Sequence, residues 1–184
     1  MDIRENFDNI KREISEACGK VDRSPEDIKV IAVTKYVTDA RVEQAIEVGV
    51  DAFAENRPQN YLERKQKYSD KEWHLIGSLQ TRKVRDVINH VDYFHALDRE
   101  SLAKEIEKRA EDKVNCFVQV NVSGEESKHG LTSHETIEFI KGLEKYSKIN
   151  VIGLMTMAPF VEDEDVLRNC FKKLRQLRDE VKEL

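Results

Sequence analysis

Lys35 is the residue whose type and position most directly suggest chemistry. It ends an apolar run, IKVIAVTK at residues 28–35, of the kind that forms a strand buried on both faces of a parallel sheet. At the end of such a strand the lysine stem lies in apolar surroundings. Desolvation there favours the neutral amine, the form that attacks a carbonyl carbon. Lys35 is therefore a candidate for imine formation, although a lysine that simply reaches solvent from a strand end fits the same position.

Polar residues also follow the other apolar runs. In parallel α/β proteins the carboxyl ends of the strands share one edge, and functional residues collect there. Turns between strands and helices favour polar residues for structural reasons too, so each position alone is ambiguous. The residues that follow or accompany the runs are Thr34 and Tyr36, Glu55-Asn56-Arg57, His74 with Gly77-Ser78, Asn121 with Ser123-Gly124, and Met155-Thr156.

Other familiar sites are missing from the sequence. The five histidines show no metal-binding spacing, and HExxH is absent. No GxSxG motif is present, so a nucleophilic serine on a sharp turn is not indicated. The three cysteines are far apart and include no CxxC pair, which predicts buried thiols rather than disulfides or a zinc site. We expect no bound metal.

The composition predicts a single cytoplasmic domain. The chain has 184 residues and a formal net charge of −5, with no basic stripe of the kind that binds nucleic acid. No apolar stretch approaches the roughly 20 residues of a membrane span. The first residues alternate charged and apolar side chains, so no secretory signal is indicated.

The elements that would position these residues alternate between strand and helix. Such an order predicts parallel strands with helices outside, either as an open doubly wound sheet or as a (β/α) barrel. No GxGxxG follows the first strand, which disfavours a dinucleotide-binding sheet. About six of the eight units of a barrel are present. Strands are expected at 28–35, 51–54, 73–77, 91–97, 115–121 and 150–155, and helices near 3–19, 39–48, 57–68, 79–89, 99–112, 133–145 and 163–183.

The residues at these strand ends resemble those of the pyridoxal phosphate (PLP) homeostasis proteins. The matching blocks occur in family order, which is a more specific signal than any single block. They are Ala32-Val33-Thr34-Lys35; Glu55-Asn56-Arg57 with Gln59; Trp73-His74-Leu75-Ile76-Gly77 with Leu79-Gln80 and Lys83; Val118-Gln119-Val120-Asn121; Ser123 to Lys128 with Gly130-Leu131; and Gly153-Leu154-Met155-Thr156. The sequence departs from the family pattern at Ala54, Ser78 and Thr81-Arg82.

The resemblance implies a TIM-type (β/α) barrel like the N-terminal domain of alanine racemase, called fold type III, over residues 1–184. It implies that PLP binds as an imine on Lys35, with Asn56 beside the cofactor and His74, Met155 and Thr156 nearby. Family members carry and buffer PLP, and contribute to PLP and amino-acid balance, without turning over a substrate. The implied partners are PLP and PLP-dependent acceptor enzymes, and we expect a monomer with no catalytic residue.

Two other functions fit the same residues. One is a PLP-dependent amino-acid racemase, which needs a second acid or base across the cofactor. The other is an aldolase without a cofactor, in which Lys35 attacks the substrate carbonyl directly.

The resemblance also implies that a C-terminal segment that grips the phosphate is lacking. A chain without that segment is expected to be less stable, to associate and to hold PLP poorly.

Overall fold

The computed structural model describes residues 2–124 and 129–184. Helices and strands alternate along the chain, as the sequence predicts. The helices are α1 (Ile3–Gly19), α2 (Asp39–Glu47), α3 (Pro58–Lys67), α4 (Val84–Val87), α5 (Glu100–Arg109), α6 (Ser133–Leu143) and α7 (Glu164–Lys182). The strands are β1 (Ala32–Val33), β2 (Ala52–Glu55), β3 (Glu72–Leu75), β4 (Tyr93–Leu97), β5 (Val114–Gln119) and β6 (Ile149–Met155).

The six strands form one parallel sheet in the order β1-β2-β3-β4-β5-β6. A doubly wound sheet reverses its strand order at a switch point, whereas here every crossover steps to the next strand in the same direction. Right-handed crossovers that all step one way place every helix on one side of the sheet. This arrangement is six consecutive units of a (β/α) barrel, and it confirms the predicted fold class.

The hydrophobic core lies between the sheet and its helices. Phe53 of β2 and Trp73 of β3 are fully buried, with ring centroids 5.3 Å apart. The hydroxyl of Tyr61 on α3 donates to the carbonyl of Trp73 at 3.3 Å, which ties the helix to the sheet. Because side chains alternate along a strand, the residues between these core positions, such as Ala54 and His74, face the opposite, inner side of the sheet.

Two elements differ from the sequence prediction. The first strand covers Ala32–Val33 rather than 28–35, because its pairing with β2 consists of two register pairs, Ala32 with Phe53 and Val33 with Ala54. The segment expected to be one helix at 79–89 is a 3₁₀ turn at Thr81–Lys83, the short α4, and a second 3₁₀ turn at Ile88–His90.

Three further features of the fold concern the cysteines, the start of α7 and the character of the helices. All three cysteines are free and buried. Asp163 caps the N-terminus of α7 by accepting from the amides of Asp165 and Val166, so the acidic run at 162–165 has a helix-initiating role. Within the described residues no helix combines the length and apolarity that crossing a bilayer requires.

Candidate functional site

Lys35 lies in the turn between β1 and α2. Thr34 precedes it and is buried, with its amide donating to the carbonyl of Ala54 at 2.9 Å. The turn closes with a hydrogen bond from the amide of Val37 to the carbonyl of Thr34, at 3.1 Å. Lys35 itself is exposed. The expectation of an apolar environment around its stem is therefore wrong, because β1 ends two residues earlier and leaves Lys35 in the turn.

Asn56 follows the end of β2, the strand that pairs with β1 and therefore lies next to the Lys35 turn. Glu55 faces the helices, since its Oε1 atom lies 3.8 Å from Nε of Arg64 on α3. Alternation along β2 then directs Ala54 to the inner side, and Asn56 follows the last residue of the strand. Among the described residues, Oδ1 of Asn56 is buried and has no hydrogen-bond partner. A buried acceptor without a hydrogen-bond partner lowers the free energy of unfolding. A bound ligand can supply the missing donor.

Gly77 holds the backbone of Asn56 in place. A Cβ at position 77 would lie 2.0 Å from the carbonyl oxygen of Asn56, which is well inside van der Waals contact. The chain after β3 therefore packs directly on the backbone after β2, and only glycine permits that approach. The spacing between Asn56 and this part of the chain is thus set by the backbone.

A groove of about 510 Å³ opens beside Asn56. It runs between α3 and the segment that follows β3, and its floor is formed partly by Leu62 and the buried Leu79. Two cationic side chains, Arg57 and Lys83, contribute to its walls. The remaining lining residues are Pro58, Gln59, Ser78, Gln80 and Asp86.

His74 lies below the strand ends, in a hydrogen-bonded row on the inner face. Its Nε2 atom is 2.7 Å from Oε1 of Glu72, and its Nδ1 atom is 2.7 Å from Nε2 of His95 on β4. Lys29 completes the row, with Nζ 2.8 Å from both carboxylate oxygens of Glu72. An ionised Glu72 can only accept, so Nε2 of His74 carries a proton. Nδ1 of His74 then accepts from Nε2–H of His95.

The electrostatics of this row keep both imidazoles neutral. Burial lowers the pKa of His74 and outweighs the neighbouring Glu72 carboxylate, which favours protonation. Burial, reinforced by repulsion from His74, lowers the pKa of His95 to about 4. Burial disfavours the Glu72 carboxylate, but hydrogen bonds from Lys29 and His74 outweigh burial and lower its pKa.

Aromatic rings flank the two histidines. Tyr93 stacks on His74 with ring centroids 4.6 Å apart, and Phe117 stacks on His95 at 4.3 Å. These rings exclude water from the imidazoles on the inner face of β3, β4 and β5. The sequence analysis singled out His74 but missed its contact with His95. The signal was available, because both histidines occupy inner positions on adjacent strands.

Met155 and Thr156 lie at the end of β6, the outer strand opposite β1 in the sheet order. The amide of Val120 donates to the carbonyl of Met155 at 2.8 Å, and the hydroxyl of Thr156 donates to the carbonyl of Val120 at 2.7 Å. Both residues are partly buried. The structure thus places Lys35 and Asn56 just after neighbouring strands, and Met155 and Thr156 together at the end of a distant one.

Part of one sequence block lies outside the described residues, namely Glu125, Glu126, Ser127 and Lys128. Asn121, which precedes it, accepts through Oδ1 from the hydroxyl of Ser123 and the amide of Gly124. Across residues 2–124 and 129–184, no cluster of histidine, cysteine or acidic side chains could hold a metal ion.

Comparison with known proteins identifies the family and the fold of the chain. The family model of the alanine racemase N-terminal domain matches residues 4–184. A pyridoxal phosphate homeostasis protein of Aquifex aeolicus is 34% identical over 186 residues, which is 98% of this chain and 82% of that protein. A protein of unknown function from Bifidobacterium adolescentis has a solved structure that matches with a TM-score of 0.88 at 29% identity. The match covers 97% of this chain and 78% of that one.

A further solved structure is that of PipY from Synechococcus elongatus with PLP bound. It matches with a TM-score of 0.77 at 23% identity and covers 92% of this chain and 82% of that one. At this identity the match shows a shared fold. Together with the family model and the relative from Aquifex aeolicus, these findings show that the chain belongs to the alanine racemase N-terminal domain family and, within it, to the pyridoxal phosphate homeostasis proteins.

Proposed function

We propose that this protein binds PLP as an imine on Lys35 and carries or buffers the cofactor without turning over a substrate. The observation that carries the proposal is the placement of Lys35 and Asn56 after adjacent strands, with the buried Oδ1 of Asn56 lacking a partner. The solved structure of PipY, which shares the fold, contains PLP, and this supports the choice of cofactor.

The residues present fit a pyridoxal ring. The pyridoxal ring offers a hydroxyl and a protonated nitrogen as hydrogen-bond donors. The buried Oδ1 atom of Asn56 can accept a hydrogen bond from such a donor. The groove beside Asn56 offers the cations Arg57 and Lys83 to an anionic group. His74, Met155 and Thr156 remain proposed members of the same site.

PLP supplies an aldehyde that condenses reversibly with a primary amine. Lys35 would supply that amine, and the aldehyde oxygen would leave as water with the two protons of the amine nitrogen. Because Lys35 is exposed, a second amine has access to the same carbon and can take the cofactor away. Access of this kind suits a protein that holds PLP and releases it to an acceptor.

The inner face of the sheet supports carrier function over racemase function. A racemase needs a second proton-transfer group. Among the described residues, the histidine on β3, near the strand ends, is His74. Both ring nitrogens of His74 are already hydrogen-bonded, to Glu72 and to His95. Burial further disfavours its charged form. His74 is therefore held as a fixed neutral ring rather than as a free acid or base.

Reduction with borohydride tests the cofactor assignment. PLP is added to the purified protein, the imine is reduced, and the intact mass and the labelled peptide are determined. We expect one reduced cofactor on Lys35. Lys35→Ala should lose the label and keep the thermal midpoint of the parent, because the residue is exposed. A label on another lysine, or none on the wild-type protein, would overturn the proposal.

An assay for racemisation separates the carrier from the enzyme. The loaded protein is incubated with single enantiomers of amino acids, and the optical purity is followed. We expect no turnover above that of free PLP. A steady rate that vanishes in Lys35→Ala would establish the racemase instead.

Several wider features remain part of the proposal. They are a single PLP-binding barrel domain, PLP-dependent enzymes as acceptors, a monomeric state, no nucleic-acid partner and a cytoplasmic location. Transfer of unreduced PLP from the loaded protein to an apoenzyme would test the acceptor, and the solution mass would test the monomeric state.

A further inference from the structure

The turn that carries Lys35 is strained at its centre. Tyr36 has φ of 67°, a left-handed conformation that a residue with a bulky side chain seldom adopts. Such a conformation persists only where the surrounding contacts determine it. Contacts on both sides of Lys35 are therefore needed to hold the turn in this shape.

Arg64 on α3 supplies contacts at three points around this turn. Its Nη2 atom donates to the carbonyl of Val37 at 2.7 Å, and its Nη1 atom pairs with the carboxylate of Asp39, the first residue of α2. Its Nε atom lies 3.8 Å from Oε1 of Glu55. The Arg64 side chain is 13% exposed and its Glu55 partner is 1% exposed, whereas the Asp39 carboxylate is 49% exposed and meets water.

Glu55 connects Arg64 to the other end of the turn. The hydroxyl of Thr34 donates to the same Oε1 atom at 2.7 Å, and the Glu55 side chain is 1% exposed. Thr34 precedes Lys35, whereas Val37 and Asp39 follow it. The guanidinium and the buried carboxylate thus form one network that fixes both sides of the lysine.

We propose that Arg64 is a positioning residue for imine formation at Lys35. The proposal rests on the proposed function, since it concerns the amine that would hold PLP. The guanidinium contacts Val37, Asp39 and Glu55 through three different nitrogen atoms, whereas an ammonium presents all its donors from one atom and reaches less far. Arg64 therefore holds the strained turn so that the Lys35 amine is presented at the carboxyl edge of the sheet.

Three variants test this role in the full chain. Arg64→Ala removes all three guanidinium contacts, and Arg64→Lys keeps the charge. Lys67→Ala removes a neighbouring cation that also pairs with Asp39 but lacks the Val37 and Glu55 contacts. PLP affinity and the rate of imine formation are followed by the visible spectrum. Hydrogen exchange is followed at the Val37 amide in the turn and at the Val114 amide of β5, which donates to the carbonyl of Lys148.

We expect Arg64→Ala to weaken PLP binding about tenfold, as for the loss of a hydrogen bond to a charged group. Arg64→Lys should recover part of that loss, and Lys67→Ala should stay within about twofold of the wild type. Exchange should accelerate at Val37 and stay slow at Val114. Acceleration at both amides would show a role in general stability and overturn the positioning role.

The failures of the two proposals are distinguishable. If the wild-type protein forms no imine at Lys35, the proposed function fails and the role of Arg64 fails with it. If the wild-type protein forms the imine and Arg64→Ala matches it in rate and affinity, the positioning role alone is overturned.

Discussion

The Nδ1 atom of His74 lies 2.7 Å from the Nε2 atom of His95, so two imidazoles on adjacent strands share one hydrogen bond on the inner face of the sheet. Both residues are buried. Only one of the two facing nitrogens can carry a proton in this arrangement. A second proton would place two cations within contact distance in surroundings that solvate charge poorly.

The first prediction concerns the pH dependence of stability. The pKa of His95 is about 4 in the folded protein and about 6.5 in an unfolded chain, so the unfolded state binds more protons between these values. Stability from the neutral ring is therefore present above pH 6.5 and is lost as pH falls toward 4. From pH 7 to pH 5 we expect a loss of about 2 kcal/mol from this group.

Urea unfolding at the two pH values measures this loss. His95→Gln keeps a donor for His74 but cannot titrate, so its stability should change less between pH 7 and pH 5. His134→Gln, which alters an exposed histidine, should follow the wild type. An equal pH dependence in all three proteins would contradict the assignment.

The second prediction concerns the tautomer and charge of His74. Glu72→Gln keeps an oxygen that accepts from Nε2–H but removes the negative charge that favours protonation of the ring. The pKa of His74 should therefore fall below its value in the wild type, and that of Lys29 should fall with it. NMR titration of the ring resonances measures the first shift. Glu26→Gln, an exposed carboxylate in the Pro25–Asp27 turn, should leave the His74 titration unchanged.

The third prediction compares two glycines. Gly77→Ala places a methyl group 2.0 Å from the carbonyl oxygen of Asn56, so the backbone must shift. We expect a loss of about 1–3 kcal/mol in unfolding free energy and weaker PLP binding. Gly142→Ala, within α6, meets no atom within 4 Å and should gain about 0.5–1 kcal/mol. A Gly77→Ala protein as stable as its parent would show that the two segments can separate freely.

The fold was predictable because its signals are local and repeated. Short apolar runs alternating with amphipathic segments gave the order of strands and helices, and the absence of GxGxxG favoured the barrel. The length of β1 was not predictable. The apolar run at 28–35 indicates a long strand, but its actual length depends on how many residues of β2 pair with it, and these are two.

The placement of Lys35 and Asn56 after adjacent strands was predictable, but the contacts around them were not. The contact of Arg64 with Glu55 joins residues whose spacing in sequence carries no familiar motif. It arises because α3 packs across the end of β2. The exposure of Lys35 was missed for a similar reason, since an apolar run does not reveal where pairing stops and the turn begins. Contacts of this kind depend on the register and on helix packing rather than on residue type.

The last prediction separates stability from function at Asn56. The buried Oδ1 atom costs free energy while it lacks a partner, and removal of such an orphan group commonly stabilises a protein at a site built for a ligand. We therefore expect Asn56→Ala, without PLP, to gain about 1 kcal/mol in unfolding free energy measured in urea. The same variant should bind PLP at least about tenfold more weakly, because it lacks the amide oxygen that would accept a hydrogen bond from the ring. Gln59→Ala, which changes an exposed amide in the adjacent groove, should alter unfolding free energy by less than about 0.5 kcal/mol. If Asn56→Ala is less stable than the wild type and binds PLP equally well, Asn56 is a structural residue of the turn and does not contact the cofactor.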